Sequence, residues 1–589
     1  MCYALKYKMI RKIEKTINRK IVLRKKEPLN RESPKKDDFL RFIPLGGMEE
    51  IGRNCSYFEY QNEIIVIDVG IQFPEEETPG IDYIIPNVSS IEPKNKNVRG
   101  IILTHGHYDH IHALPYLLEK LGNPIIYTAE LTKHLIEKRL HEFPNVPKAK
   151  IQIVRDGDEV KLSNNFQAKF FGIDHPIPDS LGFILKTPVG NMAHFGDFRV
   201  EHDINGHPQN TEIFEKIGKI GIHSAFLDST NADIEGHSLP EKLIEKNLEE
   251  LFRNAKGRII VATFASLLTR IGEIIKIAEK LGKKVALNGR SMKDNVQIVQ
   301  GLGYIKAQKG TMIPVEEIHK YRDNEILILS TGTQGEPGSG LMMIAGGRHR
   351  IIKLKTTDMV VFSSSVVPGN ERGVQTLQDN ISRQVDEVFT SKLLDIHSGG
   401  HAREEDLSLV IKLIKPKFVV PIYAYYFKRK ACTKIAKKAG IPQENLVMID
   451  NGQIAEITPN SFKISGKTVP ASYVMVDGLG VGDVEEVVLR DRRLLAEEGM
   501  VVIISTIDRK NGKMLKTPDI ISRGFIYLKE NKDLLDDIRN KLKLIMVRIP
   551  RHQNPDPDYI KALIRDQIGQ LLYNKTRRRP MVLPVIIEI

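Results

Sequence analysis

From Phe39 onward the chain runs in short apolar stretches separated by Gly-rich turns: FLRFIPLGG, EIIVIDVGI, VRGIILTHG, NPIIYTAE, KIQIVRDG, FQAKFFGID and GFILKTPVG. Stretches of this length, rich in β-branched and aromatic residues, read as strands. Their close spacing predicts packed sheets rather than a doubly wound domain. Near residue 240 the period changes. A start at Ser238–Pro240 leads into the helical pattern KLIEKNLEELF, followed by RIIVATFA, LLTRIGEIIKIAEKLG, KKVALNG, EILILSTG and DMVVFSSS. Strand and helix now alternate, as in a parallel α/β unit. After about residue 388 the short strands return, with a helix at 403–414 and the strand KFVVPIY. The order fits a sheet domain (39–241 and 389–480) interrupted by an α/β insertion (242–388). Residues 481–497 read as a connector. Beyond them the strand MVVIISTID, the turn Lys510–Asn511–Gly512, helices near 531–547 and 556–573, and the strand MVLPVIIEI predict a small α+β domain over 498–589.

Composition narrows the class. At 589 residues the chain is too long for one core, and roughly three to four domains are expected. A 41% hydrophobic, 27% charged make-up suits a globular protein and excludes a fibrous or disordered one. The longest apolar piece, IIVIDVGI at 64–71, has strand length and falls far short of the roughly 18–20 residues of a membrane helix, so no integral membrane segment is expected. Three scattered cysteines, Cys2, Cys55 and Cys432, exclude a disulfide framework and favour a cytoplasmic location.

Charge is concentrated at one end. Residues 1–41 hold fourteen Lys or Arg against five acids, which is +9 of the chain's +13. Leu5, Met9, Ile10, Ile13, Ile17 and Ile21 recur at helical spacing among these cations, so the 1–38 extension reads as a basic amphipathic helix for RNA or an anionic membrane face. The plainer reading is a solvated extension.

The chemistry begins at THGHYDH, residues 104–110. His105, His107, Asp109 and His110 crowd four potential ligands behind an apolar strand. Alternate residues on an extended loop point the same way, so His105 and His107 can share one ion while Asp109 and His110 turn toward a second.

That motif is the signature of the metallo-β-lactamase fold, and the resemblance implies two further ligands downstream: His175 in GIDHPIPDSLG and Asp197, a bridging carboxylate, in HFGDFRV. The α/β insertion resembles the β-CASP domain of the superfamily's nucleases. Asp228 in LDSTNA, the ATFAS–R segment at 262–270, NGRSM, STGTQGEPGSG, PGNE, DIHSGGHA, the long run VDGLGVGDVEEVVLRDRRLLAEEGMVVIISTID and the closing TRRRPMVLPVIIEI all resemble ribonuclease J. The likeness covers about 39 to 589. It implies an αββα sandwich interrupted by the insertion, and a two-metal hydroxide that cuts RNA endonucleolytically or 5′ to 3′ in RNA maturation and decay. It implies Asp228 as an orienting carboxylate, and His397 and His401 as the pair that holds the scissile phosphate and assists proton transfer. Ser266 with the turn His397, Ser398, Gly399, Gly400 and His401 becomes the phosphate pocket. Gly80, Asp82 and Asp477 resemble a structural calcium site. Family assembly implies a homodimer or homotetramer, or a hetero-oligomer with a paralogue.

The departures matter. Where the family carries a late zinc-ligand histidine, in a segment like PVHGEYRHL, this chain has PIYAYYFKR, with Tyr423 at the histidine position. A phenol is a weak ligand unless it loses its proton. Ser266–Leu267 replaces a Ser–Asn pair, Ser398–Gly399 replaces Val–Ser, and Tyr108 and His112 stand where Glu and Gly are typical. Six ligands nevertheless remain: His105, His107, Asp109, His110, His175 and Asp197. The expectation is a Zn²⁺ hydrolase whose weakened second site also suits Mn²⁺ or Mg²⁺. The rivals are an RNA-binding scaffold subunit paired with an active paralogue and, more remotely, a lactone or thioester hydrolase.

Overall fold

The computed structural model describes residues 39–74, 78–367, 369–478, 480–482, 486–508, 513–526, 531–547 and 556–589. The basic extension, the Lys510–Asn511–Gly512 turn, Pro368 of PGNE and residues 483–485 of the connector lie outside them.

Two sheets form the centre. One has eight strands, among them Leu40–Gly46, Cys55–Tyr60, Glu63–Ile67, Val98–Ile102 and Gln453–Thr458. The other has six, including Gln167–Gly172, Leu181–Thr187, Gly190–His194, Ser224–Asp228 and Phe418–Ile422. The run EIIVI shows why the strands read as continuously apolar. Ile65 and Ile67 pack inward toward the second sheet, while Ile64 and Val66 pack outward under the helices. Strands covered on both faces lose the usual alternation. Between the sheets Phe42 meets Phe226 with ring centroids 4.5 Å apart. Leu114, Leu117 and Leu131 cover one outer face, and Phe214, Leu407, Val410 and Ile435 the other. The result is a four-layer αββα sandwich.

The insertion leaves the second sheet after Asp228 and returns at Phe418. These two strands lie side by side in parallel, with Ser224 opposite Phe418 and Asp228 opposite Ile422. Between them lies a six-stranded, wholly parallel sheet, flanked by helices such as Glu241–Arg253, Leu268–Lys280 and Arg290–Gly301. Its last strand, Glu387–Thr390, carries the inserted sheet just past the residue-388 boundary. The connector is itself a helix, Glu486–Glu498. The last domain pairs Met500–Ile507 with Met581–Glu588 in parallel and Asp519–Arg523 in antiparallel. Ile538, Leu542 and Ile545 of one helix and Ile560, Ile564 and Ile568 of the next cover one face of this sheet, at the spacing of a single helical stripe. Leu583, Val585 and Ile587 remain exposed on the final strand.

Candidate metal centre

His105, His107, Asp109, His110, His175 and Asp197 each follow the end of a sandwich strand, so the site lies along one edge of both sheets. Val98–Ile102 delivers THGHYDH, and the short helix Tyr108–Ile111 begins directly after His107, which turns Asp109 and His110 away from His105. A glycine makes the fit possible: a Cβ on Gly70 would lie 1.5 Å from the Asp109 carbonyl oxygen. His175 follows Gln167–Gly172, Asp197 follows Gly190–His194, and Asp228 ends its own strand.

The donor atoms converge in overlapping groups. His107 Nδ1 lies 3.0 Å from His105 Nε2 and 3.1 Å from His175 Nε2. Asp197 Oδ2 lies 3.8 Å from His105 Nε2 and 3.3 Å from His110 Nε2, and Asp109 Oδ2 is 3.5 Å from that same His110 nitrogen. His105, His107, His175 and Asp197 thus form one set, Asp109, His110 and Asp197 a second, and Asp197, Asp228 and His401 a third. Asp197 belongs to all three, as a bridging carboxylate must. Its Oδ1 is buried and has no hydrogen-bond partner among the described residues.

The outer nitrogens are tied down, which fixes the tautomers. His110 Nδ1 donates to Asp68 Oδ2 at 2.8 Å, His175 Nδ1 to the Gly400 carbonyl at 2.8 Å, and His105 Nδ1 to Thr104 Oγ1 at 3.0 Å. Each Nε2 lone pair then faces inward, the arrangement that orients imidazole toward a metal. Burial holds His105 and His175 well below the usual imidazole range and brings His107 down to about 4, leaving them neutral. Neutral imidazole is the ligand form. Burial opposes charge on His110 too, but Asp197, Asp109 and Asp68 outweigh it and hold His110 well above its ordinary value. Neutral nitrogens, a bridging carboxylate and an unpartnered buried oxygen fit divalent metal.

The insertion and the returning strand close the edge. Ser266 brings its backbone against the His107 imidazole, and Thr269 N donates to the Pro176 carbonyl at 3.2 Å. The 397–401 turn packs on His175, and a Cβ on Gly400 would stand 2.7 Å from that ring. His401 reaches the metal ligands: its Nδ1 lies 2.6 Å from Asp228 Oδ2 and 3.9 Å from Asp197. Burial works to lower its pKa, but Asp228 prevails and lifts it to about 9. His397 does not join these groups. It packs among Ser363, Arg270, Glu241 and Arg199, and burial, reinforced by Arg270, holds it at about 3. Ser398 is buried, with Gly399 beside Asn231. Tyr108 and His112, the substituted pair, stack on each other at 3.5 Å.

Tyr423, considered as a ligand, has its hydroxyl engaged by Asp68 and His194. Its hydroxyl donates to Asp68 Oδ2 at 3.0 Å and lies 3.3 Å from His194 Nε2. Burial, reinforced by Asp68, raises it well above the phenol range, so the proton stays on. Gly80 and Asp477 do come together, at Arg492, with Asp82 held beside them through Gly478. Arg492 donates to the Gly80 carbonyl at 3.2 Å and the Pro79 carbonyl at 3.3 Å and pairs with Asp477, while Asp82 accepts from Gly478 N at 2.7 Å. A guanidinium already occupies the place the calcium expectation assigns to a metal.

Sequence reasoning missed Asp68 and Asn54. Asp68, fully buried with φ +55, accepts from Thr104 N, Thr104 Oγ1, His110 and Tyr423. Its one visible signal was a carboxylate inside an apolar run. Asn54 Nδ2 reaches Asp109 Oδ2 at 3.2 Å and His110 Nε2 at 2.9 Å, and nothing local in the sequence marks it.

A sandwich with histidine and aspartate ligands along one edge and an α/β insertion closing over them defines a metal-dependent hydrolase of the metallo-β-lactamase superfamily, in its β-CASP branch. Residues 49–205 match that superfamily, residues 256–381 the ribonuclease J beta-CASP domain and residues 487–589 the ribonuclease J C-terminal domain. The chain is 36% identical to Ribonuclease J 1 of Streptococcus pyogenes, over 92% of this chain and 96% of that one. It is 34% identical to Ribonuclease J2 of Bacillus subtilis over 94% and 100%, and to Ribonuclease J 2 of Staphylococcus aureus over 94% and 99%. The chain belongs to the ribonuclease J family of metal-dependent ribonucleases. Among the described residues, no helix is long and apolar enough to cross a membrane.

Proposed function

We propose that this chain hydrolyses RNA phosphodiesters at a two-metal site, endonucleolytically, from the 5′ end, or both, in RNA maturation and decay in the cytoplasm. The observation that carries the reading is the meeting of two donor sets at Asp197, with the 397–401 turn and Ser266 closing over them. His105, His107, His175 and Asp197 would hold the first ion, Zn²⁺ by their nitrogen-rich set. Asp109, His110 and Asp197 would hold the second, where fewer nitrogens suit Zn²⁺, Mn²⁺ or Mg²⁺. Two such ions supply a hydroxide at neutral pH and offset charge on the phosphate.

The chain's own groups do the rest. Asp68, Thr104 and the Gly400 carbonyl hold the three histidines in their ligand tautomers. His401, kept cationic by Asp228, is placed to hold a phosphate oxygen and to give a proton to the departing one. Ser398, Gly399 and Gly400 shape the turn that receives the phosphate, and Ser266 completes it from the insertion. His397 supports the turn from behind. The exposed Leu583, Val585 and Ile587 support self-association into a dimer or tetramer, or pairing with a paralogue. A calcium ion at Gly80, Asp82 and Asp477 would have to displace Arg492.

Tyr423 favours one second reading, a scaffold subunit of low activity, because its hydroxyl is spent on Asp68 instead of a metal. Metal content per chain, measured beside cleavage of a 5′-monophosphorylated RNA, separates the two. Two ions and cleavage support the hydrolase. RNA binding without cleavage at any metal concentration supports the scaffold.

A further inference from the structure

The helix Tyr426–Lys438 begins three residues after Tyr423, and in its first turn Lys428 donates to the carbonyl of Thr230, two residues past Asp228 at the edge of the metal centre. Its sequence, YFKRKACTKIAKK, holds six cations and no acid. Burial sorts them by face. Arg429, Cys432, Ile435 and Ala436 pack inward, and Arg429 is tied to Asp450. Lys430, Lys434 and Lys437 are exposed at i, i+4 and i+7, a single stripe along the helix. Phe427 heads that stripe one turn earlier and is 59% exposed, next to Tyr426 at 50%. The Phe427 ring lies within 8° of parallel to Tyr425, at 6.4 Å.

Helix stability does not account for this pattern. A helix N-terminus favours acids and disfavours cations, yet Lys428, Arg429 and Lys430 all fall in the first five residues. Lys428 is answered by Asp233 and Lys438 by Glu404. Lys430, Lys434 and Lys437 have no carboxylate partner among the described residues. Past the far end of the helix lies a groove of about 490 Å³, lined by Lys412, Lys415 and Lys417 along with Ile411, Pro416 and Asn445. Thirteen residues at 1.5 Å each span roughly 20 Å, so aromatic rings at the site edge lead along a row of unanswered cations to a basic groove.

We propose that this stripe is a track for single-stranded RNA outside the catalytic cleft. Tyr426 and Phe427 stack bases as the strand enters or leaves the site, and Lys430, Lys434 and Lys437 meet successive phosphates. Charge chooses the occupant, since an unbroken cationic row beside exposed rings suits a polyanion with stacking faces. The direction of the track rests on the phosphodiesterase reading. The binding itself does not.

The test is the affinity of a fluorescent oligo(A) 25-mer across a salt series, with the full-length chain carrying Asp109→Ala to suppress cleavage. Adding Lys430→Gln, Lys434→Gln and Lys437→Gln should reduce the slope of log K against log salt by about 2, at roughly 0.7 per phosphate contact. Adding Phe427→Ala instead should weaken binding on the order of tenfold with the slope unchanged. Melting curves matching the parent confirm that each variant folds. A triple variant with the parent's slope and affinity overturns the track. So does a triple variant that alters sedimentation but not RNA binding, which would assign the face to a second copy of the chain. A wild-type chain that never cleaves RNA, whose triple variant still loses slope, retires the hydrolase and keeps the track.

Discussion

At the edge of the sandwich, His105, His107, His175 and Asp197 arrive from three separate segments and turn their inward atoms toward one another. Neutral nitrogens point inward and one carboxylate oxygen has no partner. At the 78–82 loop, Gly80, Asp82 and Asp477 also arrive from distant segments, but Arg492 reaches in from the helix Glu486–Glu498 and answers Gly80 and Asp477, while Gly478 N answers Asp82. Both places gather ligands that need positive charge. One leaves the need to be met from outside, while the other meets it with a side chain. Ligand types and proximity are the same kind of signal in both, so the state of the donors, answered or unanswered, is what distinguishes a site for an ion from a structural contact.

The largest effect should follow from emptying the first kind of site. Asp109→Ala or His107→Ala should lower RNA cleavage by on the order of a thousandfold or more, because the charge stabilisation a metal supplies amounts to several kcal/mol. Neither side chain belongs to the apolar core, so the thermal transition should stay near wild type. Full activity in a metal-depleted His107→Ala, Asp109→Ala double variant would end the comparison at once.

A smaller effect is expected at Tyr423, where the two kinds of site blend. Its hydroxyl answers Asp68 within the structure, as Arg492 answers Asp477, and so is not offered to the donor set of Asp109, His110 and Asp197. Tyr423→His should raise second-metal occupancy, by roughly 10–100-fold in affinity if the ring replaces that contact. Histidine also tolerates the φ of +61 at this position better than a bulky ring. Metal per chain after dialysis against limiting metal is the measurement. Two tightly held ions in the wild type, unchanged by the substitution, would make the tyrosine no handicap.

The parts legible in the sequence were those built by neighbours along the chain. THGHYDH could be read because the strand end, turn and helix start are consecutive in the chain, and their spacing alone divides the side chains between two donor sets. His175 and Asp197 needed a resemblance, because no local pattern separates them from structural residues. Asp68 acquires its role only when Glu63–Ile67 pairs in parallel with Val98–Ile102 and brings its carboxylate under Thr104 and His110. His397 and His401 share one short motif but face different surroundings, a buried arginine for the first and the metal ligands for the second. Arg492 was unreadable for another reason: residues 481–497 look like a connector until the helix forms and lays that side chain across the 78–82 loop.

The C-terminal sheet offers the same contrast in apolar form, with one face covered by two helices and the other open. Val585→Lys with Ile587→Lys should weaken self-association by about tenfold or more, since charge is placed where a partner surface would bury apolar strand. Analytical sedimentation across a concentration series checks it. Unchanged sedimentation would put assembly elsewhere on the chain.

The smallest effect, and the sharpest test of the contrast, lies at Arg492. This ion pair is about one-third exposed on both sides, 32% for Arg492 and 33% for Asp477, so solvent screening limits its contribution to roughly 0.5–1 kcal/mol. With the guanidinium in place, the wild-type melting temperature should be the same in calcium and in chelator. Arg492→Ala should lose that small stability and open Asp477 and the Gly80 carbonyl to a cation. Two carboxylates and a carbonyl make a weak site, on the order of 10⁻³ M. Calcium near that concentration should then restore only about 0.4 kcal/mol, or roughly 1 °C in melting temperature, beyond a magnesium control. The opposite pattern would be decisive. If the wild type loses several degrees in chelator and regains them with calcium, the ion displaces the arginine, and the 78–82 loop joins the metal centre as a site whose need is met from outside.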